Sequence, residues 1–217
     1  MDMNASLFEL KDVTFRYETD HPVLESVSFS ILPGERIALT GINGSGKTTL
    51  LELMVGLNKP QRGTVTAFGR TRIEEEDFYE VRLRTGLLFQ DPDDQLFSST
   101  VAEDVAFGPF NLGWPRKRIM AAVRAILARL GLEGFEHRIT HHLSYGERRL
   151  VCMATILVME PEVLLLDEPT EGLDEHHREM LVALLKASPC AMLIASHDKA
   201  LLDAVTNRSL RLENGRV

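Results

Sequence analysis

Apolar and polar residues alternate through residues 7–39, first in LFELKDVTFRY and then in VLESVSFSILPGERIALT. A period of two predicts strands with one face toward a core. Polar clusters at 19–22 and at Pro33-Gly34 predict the turns. RGTVTAFG over 62–69 reads as a further short strand between glycines. The period changes over 115–130, where Ile119, Met120, Val123, Ile126, Leu127 and Leu130 form one helical stripe. Pro115 starts that helix and Gly131 stops it. VLLLD at 163–167 and AMLIAS at 191–196 are short continuous apolar runs, as suits strands buried on both faces of a parallel sheet. Helical patterns separate them, 175–187 being the clearest. The expectation is one α/β domain over 1–217, with antiparallel strands near the start and a mostly helical insertion over roughly 98–160.

Composition narrows the classes. The chain is 44% hydrophobic over 217 residues, enough for a full core. No apolar run reaches the ~18 residues of a membrane span. The start, MDMNASLFELKD, is acidic and lacks the apolar stretch of a signal peptide. A net charge of −8 argues against a duplex-coating protein, and no nucleic-acid partner is expected. Cys152 and Cys190 lie in apolar runs and read as reduced core thiols. The run Glu74-Glu75-Glu76-Asp77 reads as solvated surface.

The chemistry begins after the strand RIALT. Gly41-Ile42-Asn43-Gly44-Ser45-Gly46-Lys47-Thr48-Thr49 follows it and runs into the apolar stretch LLELMVGL. This is a phosphate loop in its strand-to-helix setting. Its glycines let backbone N–H groups turn onto phosphate oxygens, and the helix N-terminus adds a positive dipole end. Asn43, Gly44, Ser45, Gly46, Lys47, Thr48 and Thr49 are therefore candidate ATP-binding residues. Lys47 is placed to reach the β- and γ-phosphates, and Thr48 to ligate Mg²⁺. A second constellation, VLLLDEP, ends an apolar strand in two acids. Asp167 there can hold Mg²⁺ through water, and Glu168 stands where a base for attacking water belongs.

With these residues the chain resembles an ABC-type ATPase. The phosphate loop, Gln90 after TGLLF, LSYGE at 143–147, VLLLDEP at 163–169, Gly172-Leu173-Asp174 and His197 carry the likeness in order along nearly the whole chain. The resemblance implies a P-loop NTPase core with a parallel sheet, an N-terminal antiparallel β subdomain and a helical subdomain. It implies two such subunits packed head to tail, as a homodimer or a heterodimer. ATP then lies between the phosphate loop of one subunit and the LSYGE segment of the other. Gln90 senses Mg²⁺ and the γ-phosphate, and Tyr17 stacks on adenine. His197 polarises the γ-phosphate or holds the attacking water with Glu168, and Asp174 helps join the subunits, besides being a candidate N-cap for EHHREML.

The stretch FQDPDDQLFSSTVAEDVAFGP at 89–109 is similar to the segment after this glutamine in energy-coupling-factor transporters, which import cobalt, nickel or vitamins. That implies an integral membrane coupling subunit, a substrate-binding membrane subunit, and a peripheral position on the cytoplasmic face. This region and the helical insertion then form a groove that receives a coupling helix, where Leu96 and Phe97 supply apolar contact and Asp93 and Asp94 suit basic residues.

One motif departs from the family's usual Ser-Gly-Gly-Gln: here it is Ser144-Tyr145-Gly146-Glu147. Ser144 and Gly146 keep the residues expected at the partner's γ-phosphate. Glu147 places a charge toward that anion unless it turns back as a capping box on Ser144. The pairs His141-His142 and His176-His177 point apart and make poor chelates. The rival functions are a soluble ABC-type ATPase of DNA repair or translation and a P-loop small-molecule kinase. The first usually needs a long coiled coil or tandem domains, and the second has no use for LSYGE.

Overall fold

The computed structural model describes residues 5–18 and 21–217, so part of the turn expected at 19–22 lies outside the described residues. The opening alternation becomes β1 (Phe8–Phe15) and β2 (Leu24–Ile31), which pair antiparallel and bury Phe8, Leu10, Val13, Phe15, Leu24, Val27, Phe29 and Ile31. The register shifts after Leu10, beside Asp12 at φ 50, so the buried face is kept across a bulge. β3 (Arg36–Thr40) leads through the phosphate loop into α1 (Lys47–Met54). β4 (Arg62–Ala67) returns antiparallel to β1, and the short β5 (Arg70–Arg72) pairs with β4. The first sheet has the order β2-β1-β4-β5.

After α2 (Phe78–Arg84) and β6 (Thr85–Leu88) the chain is helical: α3 (Val101–Asn111), α4 (Arg116–Arg129) and α5 (Tyr145–Leu157). β7 (Val163–Asp167), α6 (Glu175–Ala187), β8 (Ala191–Ala195), α7 (Lys199–Val205) and β9 (Arg208–Arg211) complete it. The second sheet has the order β6-β7-β8-β3-β9, and the pairs β7–β8, β8–β3 and β3–β9 are parallel. Every residue of β7 and β8 is buried, as their unbroken apolar runs require. A parallel sheet, an antiparallel sheet and a helical part are thus present, as the resemblance implies.

The described chain divides into two compact units. The first comprises 5–87, Glu162–Asp167 and Pro189–Val217; the second comprises Leu88–Pro161 and Glu168–Ser188. One apolar core in the first unit joins both sheets, with Phe8, Val27 and Val65 on one side and Ile37, Leu165 and Leu193 on the other. Burying each such side chain stabilises the fold by about 1.5–3 kcal/mol. In the second unit α3, α4 and α5 pack on one another. The stripe expected in 115–130 is there: Ile119, Val123, Ile126 and Leu127 are buried, with Pro115 preceding the helix.

The acidic run 74–77 is exposed at Glu74, Glu75 and Glu76 but is built into the surface. Glu74 and Asp77 form a reciprocal cap, Lys59 pairs with Glu74 at 3.0 Å, and Arg82 with Glu75 at 2.5 Å. Cys152 is fully buried, and burial pushes its thiol up to about 12, so it is inert at neutral pH.

Candidate functional site

In the first unit, adjacent parallel strands β3 and β8, with β7 beside β8, deliver the phosphate loop, Asp167 and His197 from their C-terminal ends, where open α/β sheets bind ligands. Gly46, the residue before α1, has φ 100, a conformation that glycine adopts without strain. Lys47 is 8% exposed, and its Nζ donates to the carbonyls of Gly41 (3.0 Å) and Ile42 (3.2 Å). Its ammonium is thus held over the loop. The Thr48 hydroxyl donates to Asp167 Oδ2 at 2.5 Å. A hydroxyl beside a buried carboxylate is the hard oxygen donor set that Mg²⁺ takes.

Asn43 Oδ1 lies 2.8 Å from His197 Nε2, so the loop and the residue two positions past β8 are joined directly. Ser45 and Thr49 are buried, and Gly44 is exposed at the loop tip. The Tyr17 hydroxyl shares a hydrogen bond with Thr49 Oγ1 (3.1 Å) and reaches Glu52 (3.5 Å). Its ring meets Phe15 edge-on and remains half exposed, which leaves a face for stacking.

The second unit holds Gln90, Glu168, Ser144, Gly146, Glu147 and Asp174. Glu168 has φ 45, left-handed backbone that costs a non-glycine residue about 1–3 kcal/mol and concentrates at functional sites. Gln90 is exposed, directly after β6 and Phe89. Ser144 and Glu147 form the capping box at the start of α5. Glu147 Oε2 accepts from the Ser144 N–H at 2.7 Å, and the Ser144 hydroxyl accepts from the Glu147 N–H at 3.3 Å. Arg138 adds an ion pair at 3.4 Å. The Ser144 N–H, then burial acting oppositely, set the Glu147 carboxyl below the ordinary 4.5. A depressed carboxyl contributes stability that is full above the ordinary value and is lost as pH falls through the lower folded one.

Gly146 has a second reason to be glycine: a Cβ there would lie 2.7 Å from the Gly172 carbonyl. Gly172, at φ 73, lies under the Tyr145 ring, which a Cβ would meet at 2.3 Å. The bulk of Tyr145 is therefore used inside its own subunit. Its hydroxyl donates to the Gln90 carbonyl at 3.4 Å. Burial, then the charge of Glu171, raises its pKa and keeps the phenol a donor. Asp174 caps α6, accepting from the His177 N–H at 2.9 Å. Its Oδ2 also holds His177 Nδ1 at 2.9 Å.

Because the cap already occupies the Glu147 carboxylate, Glu147→Gln is expected to change ATP-driven dimerisation less than threefold, since glutamine makes the same cap contact. ATP titration of dimer formation at fixed salt checks this. A tenfold tightening, about 1.4 kcal/mol, would instead mark Glu147 as a brake on closure.

The loop after Gln90 differs from the expectation at two positions. Leu96 is buried at 4% exposure, so it lines no open groove. Asp93 is engaged by Arg148. Three other acids of the segment also serve the fold. Asp91 caps the turn 92–94, accepting from the Asp93 N–H at 3.0 Å. Glu103 completes a capping box with Thr100. Asp104, 3% exposed, accepts from Phe97 N–H, Ser98 N–H and the Thr140 hydroxyl. A groove does lie where this segment meets the helical part, about 530 Å³, lined by Phe107, Phe110, Trp114, Arg116, Ile119 and Glu103 among others, with neither Leu96 nor Phe97 in its lining. Phe110 is 71% exposed, and Phe97 packs edge-on against Phe107 at 4.8 Å.

Comparisons with known proteins give the family. The ABC transporter family model matches residues 24–171. A putative ABC transporter ATP-binding protein of Brucella suis is 52% identical over 195 residues, covering 90% of this chain and 81% of that protein. The energy-coupling factor transporter ATP-binding protein EcfA of Methanocaldococcus jannaschii is 39% identical over 215 residues, covering 97% of this chain and 77% of that protein. Among solved structures, CbiO1 of Clostridium perfringens, part of the ABC transporter complex CbiONQ, is 34% identical with a TM-score of 0.84 over 98% of this chain and 86% of that one. The dimeric ABC transporter cassette MJ0796 gives a TM-score of 0.90 at 25% identity, over 97% of this chain and 96% of that one. With the phosphate loop, the Thr48–Asp167 oxygen pair and these matches together, the chain belongs to the ABC transporter family as an ATP-hydrolysing subunit that uses ATP with Mg²⁺.

Proposed function

We propose that this chain is the ATP-binding and hydrolysing subunit of an energy-coupling-factor type importer, for cobalt or nickel ions or a vitamin, on the cytoplasmic face of the membrane. The observation that carries the reading is the similarity to EcfA proteins over 97% of the chain. The relatives are named as transporter subunits, which disfavours the alternative of a DNA-repair or translation ATPase.

In this reading two ATPase chains, alike or different, close head to tail on two ATP molecules. Lys47 binds the β- and γ-phosphates while the N–H groups of residues 43–49 wrap them, and Tyr17 stacks on adenine. Thr48, Asp167 and Gln90 would hold Mg²⁺, which supplies charge neutralisation across the phosphates. Glu168 takes the proton of the attacking water, and His197 orients that water and the γ-phosphate. Ser144, Gly146 and the first turn of α5 serve the phosphate of the opposite chain, where Glu147 keeps the turn capped and Asp174 steadies the junction. The groove of Phe107, Phe110 and Trp114 receives a helix of the integral membrane coupling subunit, which in turn holds the substrate-binding membrane subunit.

The test is to tag the chain in its native host, solubilise the membranes and identify what co-purifies. An integral membrane protein in constant ratio is expected; recovery of nucleic-acid or ribosomal partners instead would overturn the reading. Phe110→Asp places a charge in the apolar groove and is expected to release at least nine-tenths of the membrane partner, with ATP affinity unchanged within twofold. Full retention of the partner by this variant would remove the groove from the interface.

A further inference from the structure

Arg149 has no role in the reading above, yet it is the largest of the fully buried side chains and carries a full charge. It stands in α5, one turn past the Ser144 cap. A buried guanidinium is costly unless acceptors in a fixed geometry take its hydrogen bonds. Here Nη1 donates to the carbonyls of Phe89 and of Gln90, the latter at 2.9 Å, and Nη2 donates to the carbonyl of Glu168 at 2.8 Å. One rigid, planar group thus holds two chain segments that leave different strands. One carries the glutamine assigned to sensing Mg²⁺ and the γ-phosphate. The other carries the carboxylate assigned as base.

Two further observations fall on the same atoms. The Gln90 carbonyl also receives the Tyr145 hydroxyl, from the first residue of the same helix. The Glu168 carbonyl, which also accepts from the Glu171 N–H at 3.1 Å, belongs to a residue in left-handed backbone. The backbone conformation there sets the direction in which the Glu168 side chain leaves the chain. A left-handed glutamate does not hold that direction by intrinsic preference, so an external donor must fix it.

We propose that Arg149 is a positioning residue for hydrolysis: its buried guanidinium fixes the main chain of Gln90 and Glu168 together and ties both to the helix that begins with LSYGE. This rests on the roles given to Gln90 and Glu168 above. Movement of the start of α5 then reaches the glutamine and the base as one displacement. A lysine keeps the charge but not the planar fork, so it cannot serve both segments in the same geometry.

The test is a double-mutant cycle on phosphate release, using the full chain recovered with its membrane partner. Arg149→Lys is expected to lower kcat tenfold or more while ATP affinity stays within threefold. In a Gln90→Ala background, where one of the two positioned groups is gone, the same substitution is expected to cost at least threefold less. Equal losses in both backgrounds would mean that Arg149 only supports the fold, and would overturn the proposal. Native-state hydrogen exchange on the unaltered chain needs neither a folded variant nor turnover. Residues 88–91 and 167–170 are expected to open together, with one shared dependence on denaturant, and separate openings would overturn the proposal. Failure of the underlying reading is seen elsewhere, as undiminished turnover in Glu168→Gln with Arg149 untouched.

Discussion

Replacing Glu168 by glutamine is expected to leave ATP binding intact and to lower turnover by about 10²- to 10⁴-fold, the contribution typical of a general base. The substitution is nearly isosteric and keeps the backbone bonds at this position, from Arg149 and from the Glu171 N–H to the Glu168 carbonyl. What is lost is the ability to take a proton from water. With hydrolysis blocked and binding kept, the variant should accumulate as an ATP-bound dimer, visible as a doubling of mass by light scattering with ATP and Mg²⁺. Turnover at the unaltered rate in a preparation free of contaminating ATPase would remove Glu168 from the mechanism.

Lys47→Ala is expected to fail one step earlier. The Lys47 ammonium is nearly buried and is held at 3.0 Å and 3.2 Å by two carbonyls of its own loop, so it is directed before nucleotide arrives. Removing a charged hydrogen bond of this kind costs about 1.5–3 kcal/mol. ATP affinity should therefore fall roughly 10- to 150-fold. ADP, which lacks the γ-phosphate, should lose less. Equilibrium titration with both nucleotides checks this, and an equal loss for the two would show that Lys47 does not reach the γ-phosphate. The two substitutions then separate binding from chemistry: one abolishes trapping, the other causes it.

The features that were legible in the sequence are those whose cause is local. VLLL and AMLIA could be read as buried parallel strands because every side chain in them is apolar, and β7 and β8 are buried throughout. α6 was legible from Asp174 to Ala187 because a capping residue precedes an apolar stripe. The capping box of Ser144 and Glu147 was legible for the same reason. β5 was not, since Arg70-Thr71-Arg72 has no apolar period and exists by pairing with β4.

The segment 89–109 was legible as part of a groove but not in its details, because its acids are held by partners far away in sequence. Asp104 is buried by three donors drawn from Phe97, Ser98 and the distant Thr140, a closure that no spacing rule displays. Arg149 escaped notice because an arginine at the head of RRLVCMATIL reads as the polar start of a helix. Its partners are backbone carbonyls, and those leave no trace in the identity of residues 89, 90 and 168.

The central claim is that this chain hydrolyses ATP to drive a membrane partner. Phosphate release by the complex recovered from native membranes tests it most directly, measured with the unaltered chain, with Lys47→Ala and with Glu168→Gln. The account predicts Mg²⁺-dependent release by the unaltered complex, and release near background in both variants while the membrane partner stays bound. Equal release by all three complexes, or a chain that comes out of the membrane fraction with no integral membrane protein attached, would contradict it.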